Sequence, residues 1–180
     1  NNLDFINKVK KLKAFGIDNP PEARKKPGVY DVMDLGYNYR MTDFQAALGV
    51  GQMKRYRNNL QKRRQNAAYY IDNLKEEKKI FFPEYNSNNS YFLFQVILSD
   101  NIIRDDIVLG LKSSGIGFSI HYATPVPLMS YYRDKYKYSR SDFPNAVRYA
   151  DNSISLPVHP NLSKKDISYV CDTLINLLRK

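Results

Sequence analysis

The stretch Leu35-Gly36-Tyr37-Asn38-Tyr39-Arg40-Met41-Thr42-Asp43-Phe44-Gln45 decides how the rest of the chain is read. Thr42 followed three residues later by Gln45 has the spacing of a capping box, in which each side chain satisfies a backbone N–H of the helix start. A helix is therefore expected from Asp43, and no proline interrupts it before about Lys79. Its first turns hold Ala46, Ala47, Gly49 and Gly51, small enough for another backbone to approach, and its later turns are charged. Gly36 to Arg40 sits immediately before this cap, where a chain is irregular, exposed and pinned from behind, a common setting for ligand contacts. Asn38 offers amide donors there, and Arg40 a guanidinium fork suited to phosphate. An ordinary connecting loop is the competing reading of the same five residues.

Upstream, Leu3, Ile6, Val9 and Leu12 give a first helix ending near Gly16. Asp18 to Gly28, with Pro20, Pro21, Pro27 and the basic Arg24-Lys25-Lys26, reads as an exposed loop. Downstream, the aromatic and β-branched run Tyr91 to Leu98, with Gln95 its only strongly polar member, reads as a buried strand. Arg104 or Asp105 opens a helix with Ile107, Val108 and Leu111 on one face, stopped by Gly115. Ile116 to His121 is a second strand candidate, followed by a Pro125–Pro127 loop; Pro144 to Asp151 reads as a short helix, and Ile154 to Leu156 as a short strand. In the last helix Ser163 caps, Asp166 complements the N-terminus, and Ile167, Val170, Cys171, Leu174, Leu177 and Leu178 form one apolar stripe. The expected class is α/β, with a small α+β-like domain of helices on a sheet over residues 61–180, joined by the long helix to the remnant of a preceding domain over residues 1–60.

Composition narrows the function classes. The chain has 180 residues, 43% hydrophobic and 26% charged, ordinary for a globular protein. No stretch approaches the ~20 apolar residues of a membrane span, and the N-terminus lacks a secretory pattern. Asn1-Asn2 in place of an initiator Met hints that the natural chain begins upstream. One cysteine, Cys171, permits neither an intrachain disulfide nor a thiolate metal cluster, so a cytoplasmic protein without a metal is expected. The net charge of +10 is local: residues 1–80 hold 17 Lys/Arg against 9 Asp/Glu, net +8, leaving 11 against 9, net +2, for residues 81–180. Nucleic acid, an anionic small substrate or a solvated face each account for that excess. The run Lys54-Arg55-Tyr56-Arg57 with Lys62-Arg63-Arg64 distributes around several helix faces, which favours a solvated face over nucleic-acid binding. His121, at the end of its strand and followed by Tyr122, is either a ligand contact or a satisfied structural residue. His159, held before Pro160, and Cys171, on the last helix's stripe, read as structural. No P-loop, dinucleotide fingerprint, metal-ligand spacing or nucleophile elbow is present.

Taken in order, Asp34 to Gly49 with Gln52-Met53, Lys62-Arg63-Arg64-Gln65-Asn66-Ala67-Ala68-Tyr69-Tyr70, Gly115-Ile116-Gly117 leading to His121-Tyr122, Tyr131-Tyr132-Arg133, Phe143-Pro144-Asn145-Ala146 and Ser155-Leu156-Pro157-Val158-His159-Pro160 closely resemble the DegT/DnrJ/EryC1/StrS family of sugar aminotransferases. Lys10 to Ile17 resembles the helix that follows the pyridoxal-phosphate (PLP) lysine in that family. The resemblance implies the C-terminal part of a fold-type-I PLP aminotransferase, with residues 1–60 the remnant of the large PLP-binding domain. It implies amino transfer, from glutamate, to a nucleotide-linked keto-sugar in a homodimer with shared active sites, and no nucleic-acid or membrane partner. It also implies that Asn38 reaches the PLP phosphate of the opposite subunit and that Arg40, Tyr37 and Tyr39 line the same cleft. His121 and Tyr122 are implied to contact the nucleotide-sugar. No lysine here stands in the context of the family's Schiff-base lysine, so the catalytic lysine is unassigned and the chain alone is expected to be inactive. One departure is Pro127, where many members place a second His. The rival readings are a catalytically empty dimerisation or regulatory domain and, from charge alone, a basic nucleic-acid-binding module.

Overall fold

A computed structural model describes residues 2–18 and 21–179, and the chain divides into two compact units, Asn1–Lys54 and Arg55–Lys180. The first unit begins with α1 (Leu3–Leu12), whose N-terminus is capped by the Asn2 side chain accepting from the Phe5 N–H at 3.1 Å. The expected stripe of Leu3, Ile6 and Val9 forms, yet none of it is buried; Leu3 is 72% exposed. Among the described residues of this unit only Gly16 is buried. In the basic loop after α1, Asn19 and Pro20 lie outside the described residues; Pro21–Ala23 make a 3₁₀ turn, and Lys25 and Lys26 are exposed as expected.

The long helix α2 (Asp43–Leu74) starts on the capping box read from the sequence, with the Gln45 N–H donating to Thr42 Oγ1 at 3.3 Å and the Thr42 N–H to Gln45 Oε1 at 2.9 Å. It stops at Leu74, five residues short of the expected Lys79, because Ile80 is drawn into a strand and buried there. Its last turns place Ala67, Tyr70 and Leu74 in the core of the second unit.

That core lies on a three-stranded antiparallel sheet in the order β1 (Ile80–Phe81), β2 (Phe94–Leu98), β3 (Ser153–Leu156), with Ile80 opposite Leu98 and Val96 opposite Ile154. Phe94, Val96 and Leu98 alternate inward along β2. Helices α3 (Arg104–Ser113) and α6 (Lys164–Leu178) pack on each other, α3 also touches β3, and α5 (Pro144–Asn152) packs on β2. Ile167, Val170, Cys171, Leu174 and Leu178 are the buried face of α6, as the periodicity requires. The Ser163–Asp166 capping box forms, and the Ser163 backbone and hydroxyl hold the Asp166 carboxyl below its ordinary range. A helix that the sequence pattern does not announce, α4 (Ser130–Tyr136), follows the proline loop.

Two expected strands are corrected. The run Tyr91–Leu98 is a strand only from Phe94, because Tyr91 takes φ +46° and closes a turn, its hydroxyl accepting from the Asn86 N–H at 2.8 Å. Ile116–His121 reduces to one bridge, Ser119 to Ser155, with N–H···O distances of 3.1 and 2.8 Å. In antiparallel pairing the next hydrogen-bonded pairs would be Gly117 with Pro157 and His121 with Ser153. Proline has no N–H, and the Ser153 N–H is already given to the Tyr149 carbonyl at the end of α5.

Tyr70 carries a conspicuous cost in this core, as does the fully buried Ser153 hydroxyl, which also lacks a partner among the described residues. The Tyr70 ring stacks on Phe94 at 4.8 Å, but its fully buried hydroxyl has no hydrogen-bond partner among the described residues. Burial, with smaller contributions from Cys171 and Asp166, pushes the phenol's pKa upward. Tyr70→Phe keeps the stacked ring and removes the orphaned group, so it should raise stability by about 1 kcal/mol in chemical denaturation. A loss of stability would mean that the hydroxyl has a bonding partner.

Candidate functional site

In the first unit the Tyr37–Arg40 segment is fixed by main chain rather than by a core. The Tyr37 N–H donates to the Leu12 carbonyl at 2.7 Å, the Phe15 N–H to the Tyr37 carbonyl at 3.0 Å, and the Tyr39 N–H to the Lys13 carbonyl at 2.9 Å. This pairing brings two glycines into contact: a Cβ on Gly36 would stand 1.9 Å from the Gly16 nitrogen, and one on Gly16, at φ +70°, 1.9 Å from the Asp34 carbonyl oxygen. Only glycine lets the two chain segments cross so closely.

The crossing sets the side chains. Tyr37 and Tyr39 stack with ring centroids 5.2 Å apart, and Asn38, between them, faces the other way and is exposed. The Arg40 guanidinium lies over the Phe15 ring at 5.0 Å. Among the described residues Arg40 has no acidic partner and the Asn38 amide makes no hydrogen bond. Exposed amide donors beside a cation held in place by an aromatic ring suit a phosphate or carboxylate.

In the second unit His121 is half-buried and Tyr122 is 70% exposed, the two rings meeting edge to face at 5.3 Å. Two side chains that the sequence pattern does not assign to the site contact His121, and a third holds one of them. Ser155 Oγ lies 2.9 Å from His121 Nδ1, Gln95 Nε2 donates to the His121 carbonyl at 3.2 Å, and the Tyr149 hydroxyl donates to Gln95 Oε1. The one available signal was Gln95, a polar residue in an otherwise apolar strand; Ser155 and Tyr149 gave none. Nearby, a cavity of about 530 Å³ opens where Pro157 ends the Ser119–Ser155 pairing, lined among others by Phe118, Ser155, His159 and Tyr169. His159 itself is exposed, and its carbonyl accepts from Asn66 Nδ2 at 3.0 Å. Along α2, Lys54, Arg55, Arg57 and Lys62 are exposed while Arg64 donates to the Asn89 carbonyl, so the basic run forms no single face. Among the described residues no His, Cys, Asp and Glu cluster could hold a metal, and no helix is long and apolar enough to cross a membrane.

A model of the DegT/DnrJ/EryC1/StrS aminotransferase family matches residues 1–175. The chain belongs to this family. This DegT/DnrJ/EryC1/StrS chain is 30% identical over 186 residues to the UDP-4-amino-4,6-dideoxy-N-acetyl-beta-L-altrosamine transaminase of Campylobacter jejuni, a match covering 100% of the chain and 47% of the relative. Among solved structures, Helicobacter pylori PseC, an aminotransferase involved in the biosynthesis of pseudoaminic acid, superimposes with a TM-score of 0.85 at 22% identity, over 99% of this chain and 47% of that one. The PMP-form of Spr1654 from Streptococcus pneumoniae gives a TM-score of 0.86 at 23% identity, over 99% of this chain and 46% of that one. The chain thus spans about half the length of the relatives it matches. The expected mixed α/β architecture, a long helix leading into helices on a small sheet, is shared with these solved structures.

Proposed function

We propose that the chain is the C-terminal part of a cytoplasmic PLP-dependent aminotransferase that passes an amino group, from glutamate, to a keto-sugar carried on a nucleoside diphosphate. The observation that carries this reading is the exposed Asn38 amide and the Arg40 guanidinium, which has no acidic partner among the described residues, on a main chain pinned at the Gly16–Gly36 crossing, in a chain of this family. Asn38 and Arg40 fit the phosphate of PLP, and they would hold it across a homodimer interface, Asn38 serving the opposite subunit's cofactor. When bound, PLP supplies the electron sink for amino transfer, and the protein supplies grip and orientation. Arg40 balances phosphate charge, the Tyr37–Tyr39 pair walls the cleft, and His121 with Tyr122 contacts the nucleotide-sugar. On this reading residues 1–180 alone carry no transferase activity. A catalytically empty dimerisation or regulatory domain is the second reading, favoured by the exposure of Phe44, Leu48 and Met53 on α2.

The test uses the full-length product of the reading frame that holds these residues. Wild type should release 2-oxoglutarate from glutamate in the presence of a UDP-linked keto-sugar. Asn38→Ala should hold PLP about tenfold more weakly by absorbance titration, the loss of a hydrogen bond to a charged group, with an unchanged melting temperature. Unaltered PLP retention removes Asn38 from the site, and an inactive wild type favours the second reading.

A further inference from the structure

His121 is held at two points by the sheet beneath it. Its ring meets Ser155 from β3, and its main chain meets Gln95 from β2, which Tyr149 of α5 holds in turn. Ser155 is 3% exposed, and its backbone N–H and carbonyl are both spent on Ser119. Its hydroxyl has one partner among the described residues, the His121 Nδ1 atom at 2.9 Å.

Where the proton between them sits follows from satisfying the buried group. If His121 Nδ1–H donated to Ser155 Oγ, the serine O–H would be a buried donor with no acceptor. If the serine O–H donates to Nδ1, only acceptor capacity is left over, and an unused lone pair is the cheaper orphan. A neutral imidazole accepting at Nδ1 carries its own proton at Nε2. We propose that Ser155 is a positioning residue that donates to His121 Nδ1, fixes the Nε2–H tautomer, and so presents His121 as a hydrogen-bond donor to an oxygen of the ligand. Diphosphate and ribose oxygens are both such acceptors. Gln95 and Tyr149 complete the mount by holding the main chain of the same residue. The ligand half of this inference rests on the proposed transferase reading; the proton assignment does not.

The chain has two histidines, so ring-nitrogen NMR of neutral His121 is readily assigned, with His159→Gln identifying the other. Wild type should show protonated Nε2 and an accepting Nδ1 at His121. Ser155→Ala should move both nitrogens toward the averaged values of a free ring, while Ser155→Thr, which keeps the hydroxyl, should restore the wild-type pattern. An Nδ1–H tautomer in wild type, or nitrogens indifferent to Ser155→Ala, overturns the proposal. Should either variant fail to fold, the wild-type tautomer alone decides. In the full-length enzyme Ser155→Ala should raise KM for the nucleotide-sugar about fivefold with kcat within about twofold, and an unchanged KM overturns the ligand half. UDP and uridine as inhibitors separate the acceptors: weaker inhibition by UDP alone names the diphosphate, and by both names the ribose. A wild type without transferase activity defeats the transferase reading and with it the ligand half, whereas the tautomer is still read from the NMR.

Discussion

Gly36→Ala is expected to abolish the ordered Tyr37–Arg40 segment. The added methyl would lie 1.9 Å from the Gly16 nitrogen and 2.2 Å from the Phe15 carbonyl carbon, both backbone atoms that no rotamer change can move aside. Relief requires separating the chains and breaking the three main-chain hydrogen bonds that run between Leu12–Phe15 and Tyr37–Tyr39. Overlaps of this kind belong to the most damaging class of single substitutions, with costs on the order of 4 kcal/mol or more. Hydrogen exchange at the Phe15, Tyr37 and Tyr39 amides measures it directly, and all three should lose protection. Gly49→Ala is the matched control. Nothing stands within 4 Å of its Cβ, and alanine replaces glycine inside a helix, so that variant should gain about 0.5–1 kcal/mol. Retained protection in Gly36→Ala would mean that the two glycines are not in contact.

The second large effect concerns Cys171. Its side chain is 1% exposed on the inner face of α6, and burial, with a smaller contribution from the Asp172 charge, pushes the thiol's pKa up to about 12 from an ordinary 9. The thiolate is the reacting species. A thiol held that high carries about a thousandfold less thiolate at about pH 8 than an exposed cysteine does. Labelling with an aromatic disulfide reagent should therefore be at least ~1,000-fold slower in native buffer than in denaturant, and limited by opening of the second unit. As the chain's one cysteine, it makes the reaction an unambiguous reporter of that unit. Prompt labelling of the native chain would show that the buried face of α6 is not packed.

What the sequence disclosed was what short-range physics dictates. The Thr42–Gln45 and Ser163–Asp166 boxes are contacts between residues three apart, and the α6 stripe is a 3.6-residue period; each holds wherever the helix is placed. Sequence pattern misleads where a partner far along the chain decides the outcome. Ile116–His121 alternates like a strand, but its pairing depends on Pro157 and on a Ser153 N–H already engaged with Tyr149. β1 has two residues and no period to detect. The exposed placement of Asn38 and Arg40 was legible from the helix cap that follows them. The crossing that pins them was not, because Gly16 and Gly36 are twenty residues apart, and neither was the contact of His121 with Ser155, thirty-four residues on. The α1 stripe was legible from its spacing, but that none of it is buried was not, because burial depends on what packs against the helix and not on its own period.

That unburied first unit has a calorimetric consequence. The heat-capacity change on melting tracks the apolar area newly exposed to water, about 12–15 cal/mol/K per residue in a well-packed domain. Residues 2–54 fully bury only Gly16 among those described, so per residue they have less apolar area left to expose than Arg55–Lys180. Most of the heat-capacity step accordingly comes from the 126 residues of Arg55–Lys180, which by themselves account for about 1.5–1.9 kcal/mol/K. Dividing the measured enthalpy by the full length would make a normally packed domain look loosely folded.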